Sequence, residues 1–250
     1  MESLLIRERY KVIHVLHAEE DYAALEAVDI RDREQTLYLL NVYEGKYLKS
    51  YLGCFHQLRG CPAYREMFVW QDSLVAVFTY REGLSIDRVF FQGARLDWRM
   101  RMDAAGALFR QALAMWDYPP QISCAALLSD NIQILREERV LEINYAVRPL
   151  GELDRRELVL LLSDQIRKVL LQRWDSPVEE RRFVRELCAG AERSAVGAYG
   201  SWIAAEPAIR AAYERIENKG SLGKWLYLLF MNLRDWGQRR LKRKRGGSGR

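Results

Sequence analysis

The sequence predicts an α+β fold in two lobes, strand-rich first and helical afterwards. Two observations carry this. Up to Gly83 the apolar residues fall in short runs, several of them alternating, as half-buried strands require. Beyond Gly83 they recur at three- and four-residue spacing over long stretches, as amphipathic helices require. A β-rich block followed by an α-rich block is an α+β arrangement. We expect a lobe over residues 1–80, a helical lobe over 84–217, and an amphipathic helix with a basic tail over 218–250.

Each element has its own signal. The runs "YKVIHVL", "YAALEAVD" and "TLYLLNVYE" read as three strands. In "GKYLKSYLGCFHQL", Tyr47, Leu48, Tyr51, Leu52 and Phe55 share a helical face, and Gly60-Cys61-Pro62 ends the segment. "REMFVWQDSLVAVFTYREG" reads as a hairpin turning at Gln71-Asp72-Ser73. "DWRMRMDAAGALFRQALAMWDY" is a long amphipathic helix stopped by Pro119-Pro120. "AALLSDNIQI" has the rhythm of a loop entering a short buried strand. "NIQIL" and "VLEINY" then pair across the turn Arg136-Glu137-Glu138-Arg139. From Asp154 onward the chain reads as helix, with Ser176 as an N-cap ahead of Pro177 and Glu179.

Composition narrows the function. With 49% hydrophobic and 29% charged residues the chain is ordinary globular protein, long enough for a large core. The net charge of +5 is a property of the tail. Residues 239–250 hold seven basic residues and no acid, which leaves the remainder near −2. Four cysteines without CxxC spacing and three scattered histidines predict no metal site. Cys124 reads as a small buried residue, and His14 and His17 as surface or edge residues. The N-terminal stretch has no long apolar core of a signal peptide, so a cytoplasmic, reducing setting is expected.

The order of elements resembles the protein kinase superfamily. Five strands with one helix, a linker, a long helix, a loop with a hairpin and then helices follow that family's plan, over residues 8–150 above all. Thr79-Tyr80-Arg81-Glu82-Gly83 is similar to the hinge between the lobes. The family's catalytic loop reads H-R-D-x-x-x-x-N. With its Asn on Asn131, the H-R-D positions fall on Cys124, Ala125 and Ala126. Asn144-Tyr145-Ala146 stands where the resemblance expects Asp-Phe-Gly, and Asn41 where it expects the phosphate-pairing lysine.

These positions lack the family's chemistry. Phosphoryl transfer needs a carboxylate for the hydroxyl proton and another for Mg²⁺. Ala126 offers none, and Asn144 offers a neutral amide, a weaker ligand for a hard cation. The lysine's glutamate partner is expected near Tyr51, and residues 46–65 contain no Glu. The expected glycine-rich turn is "LHAEEDYAAL", with Glu19, Glu20, Asp21 and no glycine. Three acids repel a triphosphate. Asp154, the counterpart of a buried aspartate in the family, follows Asn144 by only ten residues, so the activation segment is short. The resemblance therefore implies a degenerate, pseudokinase-like domain without cofactor, a scaffold or regulatory module for a protein partner. Three alternatives stay open: an atypical transferase using Asp130, a basic-tailed adaptor that binds anionic lipid or nucleic acid through the tail alone, and an unrelated α+β domain.

The end of the chain carries the remaining signal. Leu222, Trp225, Leu226, Leu229, Leu233 and Trp236 form one helical stripe, followed by Arg239, Arg240, Lys242, Arg243, Lys244 and Arg245. Either the stripe packs on the helical lobe and the tail is solvated, or both contact the inner face of an anionic membrane. Each basic residue at such a surface contributes ~1 kcal/mol. Nucleic acid is the weaker partner, because no aromatic-basic stacking surface lies outside this helix. The longest apolar run here, Trp225 to Met231, is too short to span a bilayer, which takes about 20 residues.

Overall fold

The computed structural model describes residues 4–246 apart from 92, 95, 136–137, 171–175 and 191, and leaves aside the side chains of 221, 238, 239 and 241–246. Six antiparallel strands come first: β1 (Leu5–Ile6), β2 (Tyr10–Glu19), β3 (Tyr22–Asp29), β4 (Leu37–Tyr43), β5 (Tyr64–Trp70) and β6 (Ser73–Thr79). Their order in the sheet is β1-β2-β3-β4-β6-β5. The sequence reading expects five of these; the two-residue β1 is too short to show periodicity. The β5–β6 hairpin turns on Gln71 and Asp72, both at positive φ, and Ser73 already belongs to β6.

The sheet curls until its ends meet. Arg9 Nη1 and the Tyr10 hydroxyl each donate to Glu66 Oε1 on β5 at 2.6 Å. Inside the curl lie Tyr10, Leu25, Leu40, Val42, Val75 and Val77. The alternate residues of the same strands, Leu39, Tyr43, Leu74, Ala76 and Phe78, face the other way and join the main core. Period-two alternation thus feeds two cores from one set of strands. Asn41 shares the parity of Leu39 and Tyr43, so it faces the main core. Helix α1 (Tyr47–Gln57) packs on that face through Tyr51 and Phe55.

Gly83 then leads into β7 (Leu84–Ser85). A Cβ on Gly83 would lie 2.8 Å from the Ile134 carbonyl oxygen, so only glycine allows the linker to run this close. β7 pairs with β8 (Ile132–Ile134), which pairs with β9 (Leu141–Ile143). The helices are α2 (Ile86–Val89), α3 (Trp98–Ala114), α4 (Pro120–Ala126), α5 (Arg155–Leu170), α6 (Val178–Cys188), α7 (Ala195–Glu217) and α8 (Ser221–Gly246). Helix α3 is central, with Phe109 stacked on Trp202 of α7 at 5.4 Å.

Four expectations need correction. Pro119-Pro120 stop α3 but also start α4, since proline suits a first helical turn. Cys124, Ala125 and Ala126 are therefore helical, and the loop begins at Leu127. The α6 cap is Pro177, with Ser176 fully buried beneath the helix start. Asp154 is exposed: its carboxylate accepts from the Arg156 N–H at 2.6 Å, as a residue at a helix entry does. The Arg136-Glu137 part of the β8–β9 turn lies outside the described residues.

Helix α8 reverses the usual arrangement. Leu228 is 4% exposed and Asp235 7%, and these two face the body. Leu222, Trp225, Leu226, Leu229, Leu233 and Trp236 are all exposed, so the stripe does not pack on the helical lobe. No helix among the described residues is long and apolar enough to cross a membrane.

Candidate functional site

The cleft between the sheet lobe and the helical lobe is lined by Asn41, Asn131 and Asn144, all buried. Each asparagine carries an acceptor and a two-proton donor. All three spend both across the cleft or its floor.

Asn41 projects from the middle of β4, between Leu39 and Tyr43. Its Oδ1 accepts from the Val147 N–H at 2.7 Å and the Tyr22 hydroxyl at 2.9 Å. Its Nδ2 donates to the Tyr145 carbonyl at 2.8 Å. One side chain of the sheet thus holds both ends of the segment after β9. Tyr43 adds a bond from its hydroxyl to the Val147 carbonyl at 2.6 Å. Burial holds the Tyr22 and Tyr43 hydroxyls well above the usual tyrosine range, so both remain neutral donors.

Asn131 closes the turn from α4 into β8. Its Nδ2 donates to the carbonyls of Ala125 (2.7 Å) and Ala146 (3.0 Å), and its Oδ1 accepts from the Ala146 N–H at 2.9 Å. It thereby ties α4 to the strand exit at Ala146. Asn144 reaches the linker, where its Oδ1 accepts from the Arg81 N–H at 3.1 Å and its Nδ2 donates to the Arg81 carbonyl at 2.9 Å. Both backbone groups of Arg81 are therefore occupied. The N–H groups of Thr79 and Tyr80 also point inward, donating to the carbonyls of Ala63 and Leu37.

Aromatic rings fill the remaining space. Tyr145 stacks on Phe78 at 5.2 Å, and Tyr43 stacks on Tyr51 of α1 at 4.3 Å. Tyr51 thus places a ring where the resemblance expects the lysine's glutamate partner. Ala126 is fully buried at the end of α4 and offers no polar atom beyond its backbone. Cys124 is also fully buried, and burial pushes its thiol up to about 12, which leaves it a protonated core residue. Asp130 points outward instead, 71% exposed with Arg148 at 3.8 Å. Beside the linker lies an open hollow of about 460 Å³ lined by Leu37, Tyr80, Arg81, Glu82, Gly83 and Glu138, and none of the three asparagines lines it. Among the described residues no group of three His, Cys, Asp or Glu could hold a metal ion.

The structure thus brings together Asn41, Asn131, Asn144 and Arg81. Trp225, Trp236 and Arg240 lie apart on α8, with the Arg240 guanidinium 3.9 Å from the Trp236 ring centre. The side chains of Arg239, Lys242, Arg243, Lys244 and Arg245 fall outside the described residues. Sequence reasoning missed Tyr22, Tyr43, Tyr145 and the Arg81 backbone as members of the site. The signal available was the density of tyrosines facing one side of the strands.

No family model and no curated protein matches the sequence. Solved structures do. The kinase domain of Mycobacterium tuberculosis PknI superposes with a TM-score of 0.56 at 11% identity, covering 81% of this chain and 98% of that one. A double mutant of the same domain gives 0.56 at 10% identity, covering 82% and 98%. Rad53 1–466 in complex with AMP-PNP gives 0.55 at 14% identity, covering 78% of this chain and 65% of that one. At such identities the likeness is one of fold: this chain folds as a protein kinase-like bilobal domain.

Proposed function

We propose that the chain is a non-catalytic, pseudokinase-like domain that serves as a scaffold or regulatory binding module at the cytosolic face of a membrane. One observation carries this reading. The cleft is filled by a neutral, fully hydrogen-bonded network of Asn41, Asn131, Asn144, Tyr22 and Tyr43. A nucleotide base needs backbone donors and acceptors at the linker, and those of Arg81 are held by Asn144. A triphosphate needs cations, and the groups facing the cleft from Asn41, Ala126 and Asn144 are uncharged. Separating the lobes would strand several buried polar groups at about 1–3 kcal/mol each. Such a cleft favours one rigid body, which suits a surface presented to a protein partner.

The membrane part of the reading is supported by the exposed α8 stripe and the basic tail beyond it. The alternative of an active transferase would need Asp130 as base, and its outward position beside Arg148 disfavours it. Nucleic acid has the tail alone in its favour.

The test is a Mg-ATP titration followed by thermal unfolding, with a radiolabelled phosphoryl-transfer assay alongside. The expected result is no shift and no transfer. A saturable magnesium-dependent shift with transfer, lost in Asp130→Ala, would overturn the proposal in favour of the transferase.

A further inference from the structure

We infer that α8 is a preformed docking face for an anionic lipid bilayer, lying flat in the headgroup region with the kinase-like body above it. This rests on the scaffold reading and specifies what the scaffold stands on.

Helix α8 packs against α6 and α7. Its body-facing side is mostly polar. Arg181 hydrogen-bonds Asn232, Arg182 Nη2 lies 3.7 Å from Asp235 Oδ1, and Leu228 is the buried apolar anchor. These contacts fix the rotation of the helix. The apolar stripe therefore points outward, with Leu222 at 74% exposed and Phe230 beside the stripe at 64%. A stripe of that length on a soluble surface marks an interaction site. It cannot rotate inward without breaking the contacts at Asn232 and Asp235.

Charge decides among the occupants. Between Lys219 and Arg245 the chain has nine basic residues and one acid, Asp235, which is turned toward Arg182. Pairing with α8 of a second copy would set like charges together. A parallel pair superposes the basic clusters, and an antiparallel pair sets each cluster against Lys219 and Lys224 of the other. The surface that covers this face must be apolar and negatively charged together. A bilayer with acidic headgroups is both. The two tryptophans suit its boundary, where an apolar ring body meets a polar edge. Trp236 is already paired with Arg240, which places a cation and an indole at one depth.

The test uses the full chain and sedimentation with two kinds of vesicle, phosphatidylcholine alone and phosphatidylcholine with phosphatidylserine. Expected is binding at least about tenfold tighter to the acidic vesicles, reduced by added salt. Leu229→Glu should lower it about tenfold or more, and Val196→Glu, at an exposed apolar position on α7, should leave it unchanged. Replacing Lys242, Arg243, Lys244 and Arg245 by glutamine should remove the preference for acidic vesicles. Circular dichroism checks that each variant stays folded.

Binding to neither vesicle overturns the inference. So does a dimer in light scattering that Leu229→Glu dissociates, since a second copy's groove between α6 and α7, rimmed by Glu179, Glu186 and Glu192, would then be the occupant. Binding lost with the tail substitutions but untouched by Leu229→Glu also overturns it, because the stripe would then contribute nothing. None of these results bears on the cleft, which the magnesium–nucleotide assay tests separately.

Discussion

Asn41 and Leu229 make an instructive pair, because each breaks the usual rule of place. Asn41 is polar and fully buried; Leu229 is apolar and exposed. The cleft around Asn41 tolerates polarity because every buried group has a partner, and a satisfied network specifies one arrangement. The α8 surface around Leu229 has no such internal settlement. Its apolar stripe remains in water, and the contacts that hold it to the body include buried Leu228 and the polar contacts of Asn232 and Asp235. The cleft pairs its polar groups within one molecule, whereas α8 leaves an apolar stripe facing water.

Substitution at Asn41 should cost the most. Asn41→Leu leaves the Tyr145 carbonyl, the Val147 N–H and the Tyr22 hydroxyl unpaired, and urea denaturation should show a loss of about 3–6 kcal/mol. A loss below about 1 kcal/mol would mean that water satisfies these groups and the cleft is not dry. Next in size is Leu228→Ala, which should cost about 2–3 kcal/mol by emptying the position of a buried leucine of α8. Asn144→Ala should cost about 1–3 kcal/mol and free both Arg81 backbone groups. Leu229→Ala, one residue from Leu228, should change stability by less than about 0.5 kcal/mol in the absence of vesicles. Equal losses at 228 and 229 would show that the helix is docked by a different face.

A pH series sharpens the contrast. The cleft amides do not titrate, so its contribution should be flat. Elsewhere Glu180 is buried against Arg101 and the Tyr213 hydroxyl, and burial holds its carboxyl above the usual glutamate range despite Arg101. A raised folded-state value means the folded protein binds this proton more tightly than the unfolded chain. Stability from this group is therefore full below the ordinary glutamate value and declines as pH rises from there through the raised one. Glu180→Gln should remove that decline, read as urea midpoints at acid and neutral pH.

Much of the fold was legible because it rests on local pattern. The short apolar run "YAALEAVD" and the helical spacing in residues 98–114 carry their structure in themselves. The place of Asn131 followed from its distance to the strands on either side. The errors lie where a local signal competes with a neighbour. Pro119-Pro120 ends one helix and begins another, and only the packing of α4 on α5 decides which signal matters for Ala126. At Asp154 the sequence could not show whether the carboxylate turns inward or caps α5. The roles of the cleft tyrosines were not legible, since their partners lie on other elements, 19 residues away for Tyr22 and 104 for Tyr43.

The sequence by itself determined the two-lobe order, the absence of carboxylates and lysine at Asn41, Ala126 and Asn144, and the basic tail. These are facts of residue identity and spacing, which no packing can alter. Only the tertiary structure decided that the asparagines bond across the cleft and that the α8 stripe faces outward. Both depend on which groups meet at distances remote in sequence: an amide's partner and a helix's rotation are set by the surfaces opposite them, and no local pattern contains those surfaces.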